Sequence, residues 1–217
     1  MKFCVKLTSG YPIVLPIHYN HILKGFIFSN FIKNNVPFTF SNIFGLKKIR
    51  NRKISFKKEC HFYVATPEQL HFNGIEGRNL NLGRNRVRVD EVRIVEEEPR
   101  GPLAVIKTLS PVTVFVKEWR GKTRYFSPSS PEFYRFLEED LKEKTKRLFN
   151  KSCEVKIRAS EKSIFKKAVI QYRNRFIVEA WKGIFEIEGE REVIESALKL
   201  GLGYKNNQGF GMVALTG

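Results

Sequence analysis

Apolar and polar positions alternate from Lys2 to Leu7, the period-two pattern of a strand with one buried face. A proline-punctuated turn, Tyr11 to Pro16, follows it. The period then lengthens. Ile22, Leu23, Phe26, Ile27, Phe31 and Ile32 recur at helical spacing and predict an amphipathic helix from His18 to Lys33. Pro37-Phe38-Thr39-Phe40 reads as a strand start, with proline at a tolerated first position. Lys53 to Ala65 predicts another strand, and Arg86 to Val95 (RVRVDEVRIV) alternates too sharply to be anything else. Between them, Gln69 to Leu82 is polar and irregular, with a short helix beginning at Pro67. The first half therefore reads β-α-β-β-(α)-β.

The acidic, then Pro/Gly-containing stretch Glu96 to Pro102 reads as a linker. Short strands are predicted at Leu103 to Leu109, Val112 to Trp119 and Arg124 to Phe126. Pro131 sits just inside a helix capped by Ser130, with Glu132 in its first turn; Phe133, Phe136, Leu137, Leu141 and Leu148 line one face as far as Phe149. Strands follow at Cys153 to Ala159, Ser163 to Arg173 and Phe176 to Ile187, then a helix at Glu190 to Leu200 and a last strand at Met212 to Leu215. Neither half shows βαβα alternation. The expectation is an α+β protein of two tandem ferredoxin-like domains, residues 1–97 and 98–217, each a βαββαβ unit of the kind used by single-strand RNA-recognition modules. The unit fits the first half well and the second loosely.

Composition sharpens this picture at the surface. Hydrophobic residues make up 42% of the 217-residue chain, enough for ordinary cores, but Lys and Arg number 39 against 22 Asp and Glu, a formal net charge of +17. Such an excess repels itself unless an anionic partner balances it, and nucleic acid, which releases counterions as phosphates are neutralised, is favoured over an anionic membrane. No stretch approaches transmembrane length, and Lys6 interrupts what a signal peptide would need. Cys4, Cys60 and Cys153 are odd in number and widely spaced, which argues against a disulfide framework or a structural zinc site and for a cytoplasmic protein. No carboxylate cluster has metal-ligand spacing, so neither a metal nor another cofactor is expected.

The most specific feature is Gly201 to Gly211, GLGYKNNQGFG, placed after a helix and before the last strand; residues 201–211 form a glycine-rich loop. Glycines let backbone amides converge on a phosphate, Lys205 adds charge, and Asn206, Asn207 and Gln208 can hydrogen-bond sugar or base edges. A helix cap followed by a bulged hairpin is the other reading of the same residues. The pattern G-x-G-x-x-x-x-x-G-F-G followed by Met212-Val213 resembles the signature of the RAMP superfamily of CRISPR-associated proteins. Within it, the chain is similar to the endoribonucleases that cut precursor CRISPR RNA inside its repeats. Pro16 and Tyr19-Asn20-His21 before the first helix, Pro37 to Ser41 (PFTFS), Thr108 to Val112, and Glu132-Phe133-Tyr134 agree in order. The resemblance implies two ferredoxin-like domains, CRISPR repeat RNA held along their shared basic groove, metal-independent cleavage in active members, and association in some with other CRISPR complex subunits or as a homodimer.

Metal-free cleavage uses the RNA 2′-hydroxyl as nucleophile and needs a base, an acid and donors for the charge that develops at phosphorus. In the resembled family the catalytic histidine lies between the first helix and the strand that matches PFTFS. Here Asn35 and Val36 separate helix from Pro37, and Phe28 stands where some members carry a tyrosine. The resemblance therefore leaves cleavage weakened or lost, with non-catalytic repeat-RNA binding or a structural role in a surveillance complex as alternatives. Of the histidines, His18 and His21 lie three apart, on one side of a helical turn, and are the candidate acid–base pair; a helix start packed on the other domain explains them equally. His61 and His71 read as structural or surface residues. Candidate phosphate contacts are Lys47, Lys48, Arg50, Arg52 and Lys53, with Lys57 and Lys58 beyond them, and Arg84, Arg86 and Arg88, which would line one strand face. A third run comprises Lys156, Arg158, Lys162, Lys166 and Lys167.

Overall fold

The computed structural model describes residues 1–32, 36–68, 74–172 and 176–216. The first half contains β1 (Lys2–Thr8), β2 (Ile13–Pro16), α1 (Asn20–Asn30), β3 (Thr39–Phe40), β4 (Lys47–Arg50), β5 (Lys53–Phe56), β6 (Glu59–Ala65), β7 (Asn79–Leu82) and β8 (Asn85–Val95). The second contains β9 (Leu103–Thr108), β10 (Phe115–Lys117), β11 (Thr123–Tyr125), α2 (Pro131–Phe149), β12 (Val155–Ala159), β13 (Lys166–Tyr172), β14 (Phe176–Lys182), β15 (Ile184–Gly189), α3 (Arg191–Leu200) and β16 (Val213–Leu215).

The two main sheets run β3-β6-β1-β8-β7 and β12-β15-β9-β16, antiparallel throughout. Each has the first strand of its unit between the third and the fourth, which is ferredoxin-like order. The second half holds the full βαββαβ unit, β9-α2-β12-β15-α3-β16, with the hairpins β10–β11 and β13–β14 inserted. The first half has α1 as its helix among the described residues. The expected ranking is thus reversed: the second half is the fuller match, its pattern blurred in the sequence by two added hairpins. The short helix expected at Pro67 falls mainly on residues 69–73, outside the described residues.

In β1, Phe3, Val5 and Leu7 point into the first core while Cys4, Lys6 and Thr8 face the open side of the sheet. Leu23, Phe26 and Ile27 of α1 cover that core. The second core gathers Phe133, Leu137 and Leu141 of α2 with Ile106, Phe185, Ile187 and Val193. The halves are joined by backbone and side-chain bonds: Asn42 N–H donates to the Leu109 carbonyl at 3.1 Å, and the buried Lys2 ammonium reaches the Val213 carbonyl at 2.9 Å and pairs with Glu97.

Four sequence expectations are corrected. Residues 13–16 of the expected turn form an edge strand, paired with β5 on one side and closed on the other by the Asn85 side chain, which accepts from Val14 N–H (2.8 Å) and donates to its carbonyl (2.9 Å). Helix α1 ends at Asn30, whose amide donates back to the Phe26 carbonyl. The segment from Lys53 to Ala65 is two strands in different sheets, and Phe176 to Ile187 breaks at Gly183, where a Cβ would lie 2.3 Å from the Phe165 ring. No helix among the described residues is long and apolar enough to cross a membrane.

Candidate nucleic-acid interface

The glycine-rich loop leaves α3 and turns back on itself beneath β16. Lys205 has φ 58°, and Gly201, Gly203, Gly209 and Gly211 are all left-handed or nearby positive-φ residues. At Gly211 a Cβ would sit 1.9 Å from the Leu202 carbonyl oxygen, and at Gly209 it would strike the Phe40 ring and the Asn20 amide. Glycine is required at both places. The loop is closed from inside: the Asn206 amide donates to the Leu202 and Phe210 carbonyls, each at 3.2 Å. From α2, the Lys144 ammonium reaches Asn206 Oδ1 (2.9 Å), the Gly201 and Gly203 carbonyls (2.9 and 2.8 Å) and Asp140 Oδ2 (2.7 Å).

On its outer side the loop presents Lys205. Its ammonium lies over the rings of Phe115 (5.0 Å) and Phe176 (5.6 Å), which belong to the two inserted hairpins. Burial, and then the nearby Lys117, hold its pKa below the ordinary lysine value. Phe176 stacks on Tyr172 (centroids 5.8 Å, 17°), and Tyr172 meets the His21 ring edge-on at 6.2 Å. Helix α1 and the turn before it close this row from the first half: Asn20 donates to the Gln208 and Gly209 carbonyls at 3.2 Å, and His18 Nδ1 accepts from Gln171 N–H at 3.4 Å. Because α1 begins at Asn20, His18 lies in that turn and not on one helical face with His21. His18 is held below the usual histidine pKa, first by burial and then by Arg52, so it is neutral near pH 7. His21 Nδ1 and Gln208 Oε1 are buried without a hydrogen-bond partner among the described residues. Asn207 is exposed, whereas the Asn206 amide is spent within the loop.

The first basic run reaches the same junction. Asn51 and Arg52 have φ 50° and 56°, the two-residue hairpin turn that joins β4 to β5. The pairing places Lys48, Arg50 and Lys53 on one exposed face. Arg52 acts on His18, as above, and Lys47 helps burial lower the Lys182 pKa at the end of β14. Arg86 and Arg88 instead occupy the open face of the first sheet, opposite Asn81 and Asn79; Arg84 is in the β7–β8 turn and not on that face, because Leu82 pairs directly with Asn85. A surface basin of about 770 Å³, lined by Lys6, Thr8, Ser9, Lys57, Lys58 and His61, continues through Thr8 and Ser9 to Arg86 and Arg88. His61 stacks on Phe44 (5.5 Å, 25°) and meets Tyr63 edge-on (5.7 Å) on that open face. The third run is spread over β12 and the β13–β14 hairpin, with Arg158 paired to Glu186 (2.7 Å) and Lys167 to Glu179 (2.8 Å). His71 lies outside the described residues.

Glycine spacing in the sequence marks Lys205 but not its setting. Asp140 and Lys144 are spaced i,i+4 on α2 like any solvent-facing ion pair, and only tertiary packing leaves them 13% and 14% exposed. Phe115, Tyr172 and Phe176 read as strand residues, and nothing local marks them as neighbours of the loop.

Residues 95–215 match the family model described as CRISPR associated protein Cas6, C-terminal. The chain is 23% identical over 237 residues to CRISPR-associated endoribonuclease Cas6 1 of Methanocaldococcus jannaschii, covering 98% of this chain and 92% of that protein. It is 25% identical over 248 residues to CRISPR-associated endoribonuclease Cas6 of Pyrococcus furiosus, covering 100% and 90%. A solved structure described as CRISPR associated protein Cas6 superposes with a TM-score of 0.82 at 22% identity, covering 100% of this chain and 99% of that one, a likeness of fold.

Proposed function

The chain belongs to the Cas6 family of CRISPR-associated proteins, and from that premise we propose that it binds CRISPR repeat RNA at the junction of its two halves and cleaves it slowly without a metal ion. One observation carries this reading. The glycine-rich loop of the second half, His18 just before α1 and His21 in its first turn, and the turn of the cationic β4–β5 hairpin, distant in sequence, converge on one surface. A single strand laid there would meet cations for its phosphates and aromatic rings for its bases.

The chemistry divides among two histidines and a lysine. His18, neutral near pH 7, accepts the proton of the attacking 2′-hydroxyl at Nδ1, which gives up its long 3.4 Å bond from Gln171 N–H to do so. Lys205, fixed over two rings, offsets the charge that gathers on the phosphorus oxygens. His21, in the first turn of α1 with its ring edge-on to Tyr172, supplies a proton to the departing 5′-oxygen, leaving a 2′,3′-cyclic phosphate. The rate is slow because Phe28, 49% exposed on α1, cannot transfer a proton where the resemblance places a tyrosine. With α1 ending at Asn30, the segment before Pro37 is longer than the sequence pattern indicated, but residues 31–36 still contain no histidine.

That same departure favours a second reading, a member that holds repeat RNA without cutting it. Incubation of the protein with repeat RNA in EDTA separates the two. A slowly formed, defined product ending in a cyclic phosphate, and reduced in His18→Ala and His21→Ala, supports cleavage. Intact RNA that remains bound assigns the second reading. RNA neither bound nor cut refutes both.

A further inference from the structure

Beneath the glycine-rich loop lies a charged pair that the proposed chemistry does not use. Lys144 and Asp140, on consecutive turns of α2, are almost withdrawn from water, and burial pushes the lysine pKa down and the aspartate pKa up against their mutual attraction. A buried ion pair is a weak stabiliser, and well-packed apolar residues in its place often hold a fold as well. The bonds show where this pair is directed. Three of the four acceptors around the Lys144 ammonium belong to the loop: the Gly201 carbonyl, the Gly203 carbonyl and Asn206 Oδ1. Asp140, the fourth, is drawn toward its charged form, against the effect of burial, by Lys144 and by the Gly203 backbone N–H. These fixed points flank Lys205 on both sides in sequence. Lys205 in turn is in the left-handed region, a conformation that a lysine keeps only where its surroundings impose it.

We infer that Lys144 is the positioning residue of this interface: it clamps the loop backbone so that Lys205 stays between Phe115 and Phe176, aimed at the RNA backbone. The inference rests on the RNA-binding reading above, and adds that the affinity gained from Lys205 depends on a residue that touches no RNA.

The test is a double-mutant cycle on repeat-RNA affinity, with Lys144→Met, Lys205→Ala and the double variant. Because Lys144→Met leaves Asp140 buried without its partner, Asn206→Ala is run beside it; this variant removes one of the three loop acceptors of Lys144 together with the two amide bonds that close the loop, and leaves the ion pair in place. Each single variant is expected to weaken binding about tenfold, and each double variant no more than Lys205→Ala alone. The slope of log affinity against log salt is expected to shrink by about 0.7 in Lys144→Met or Asn206→Ala, the signature of one lost phosphate contact on a single strand. A purely structural role would leave that slope unchanged. If the wild type binds while Asn206→Ala binds equally well, or if the losses multiply in the double variant, the inference is overturned. A wild type without affinity for RNA overturns instead the functional reading beneath it.

Discussion

The β4–β5 hairpin gives the account its most quantitative test. Lys48, Arg50 and Lys53 share one exposed face, and none of them is in an ion pair among the described residues. Replacing all three by alanine removes no packing and should leave the melting temperature unchanged. If each neutralises one phosphate of a single strand, each contributes about 0.7 to the slope of log affinity against log salt, about 2 for the set. Between 50 and 200 mM salt the wild type should then lose about twentyfold more affinity than the triple variant. Fluorescence anisotropy of labelled repeat RNA at three or four salt concentrations measures both slopes. Arg158→Ala is the control: its guanidinium already holds Glu186 at 2.7 Å, and its loss should change the slope by less than one contact. Parallel lines for the triple variant and the wild type would mean that this face does not track phosphate, whatever its charge.

The other expectations concern the loop and its neighbours. Gly211→Ala places a methyl group 1.9 Å from the Leu202 carbonyl at φ 75°, and should cost at least about 2 kcal/mol in urea unfolding; unfolding at the wild-type midpoint would contradict the loop geometry. Asn20→Ala leaves the Gln208 and Gly209 carbonyls without their donor, and should cost about 1–3 kcal/mol and speed hydrogen exchange of loop amides, read by mass spectrometry. The acid limb of the cleavage profile should lie below the ordinary histidine range, because burial and Arg52 depress the His18 pKa and protonation removes the base. In Arg52→Ala that limb should move to higher pH; an unmoved profile would separate His18 from the reaction.

The parts of this fold that were legible in the sequence are those where local chemistry and packing agree. Helix α2 spans Pro131–Phe149 as expected: proline suits its first turn, Ser130 precedes it in extended conformation, and its apolar stripe is the face that enters the second core. β1 and the first part of β8, as far as Val89, alternate because one face of each is buried; beyond the register shift against β1 the alternation of β8 no longer marks burial, and Ile94 is exposed. Edge positions were harder to read. The strand Ile13–Pro16 carries proline and borrows a side-chain amide in place of a neighbouring strand, so its residues look like a turn. Of the candidate site, Lys205 could be found because glycine spacing is a backbone requirement written in consecutive residues. Its aromatic cage and the Lys144 clamp could not, because they come from three separate elements and exist only once the helices and hairpins pack.

The central claim, that repeat RNA lies across the junction where the glycine-rich loop meets α1 and the two inserted hairpins, is tested most directly by ultraviolet cross-linking to repeat RNA and peptide mapping. Adducts are predicted on peptides that carry Phe115, Tyr172, Phe176 and Lys205. Adducts confined to the acidic surface around Glu138, Glu154 and Glu188, with none on those peptides, would contradict it.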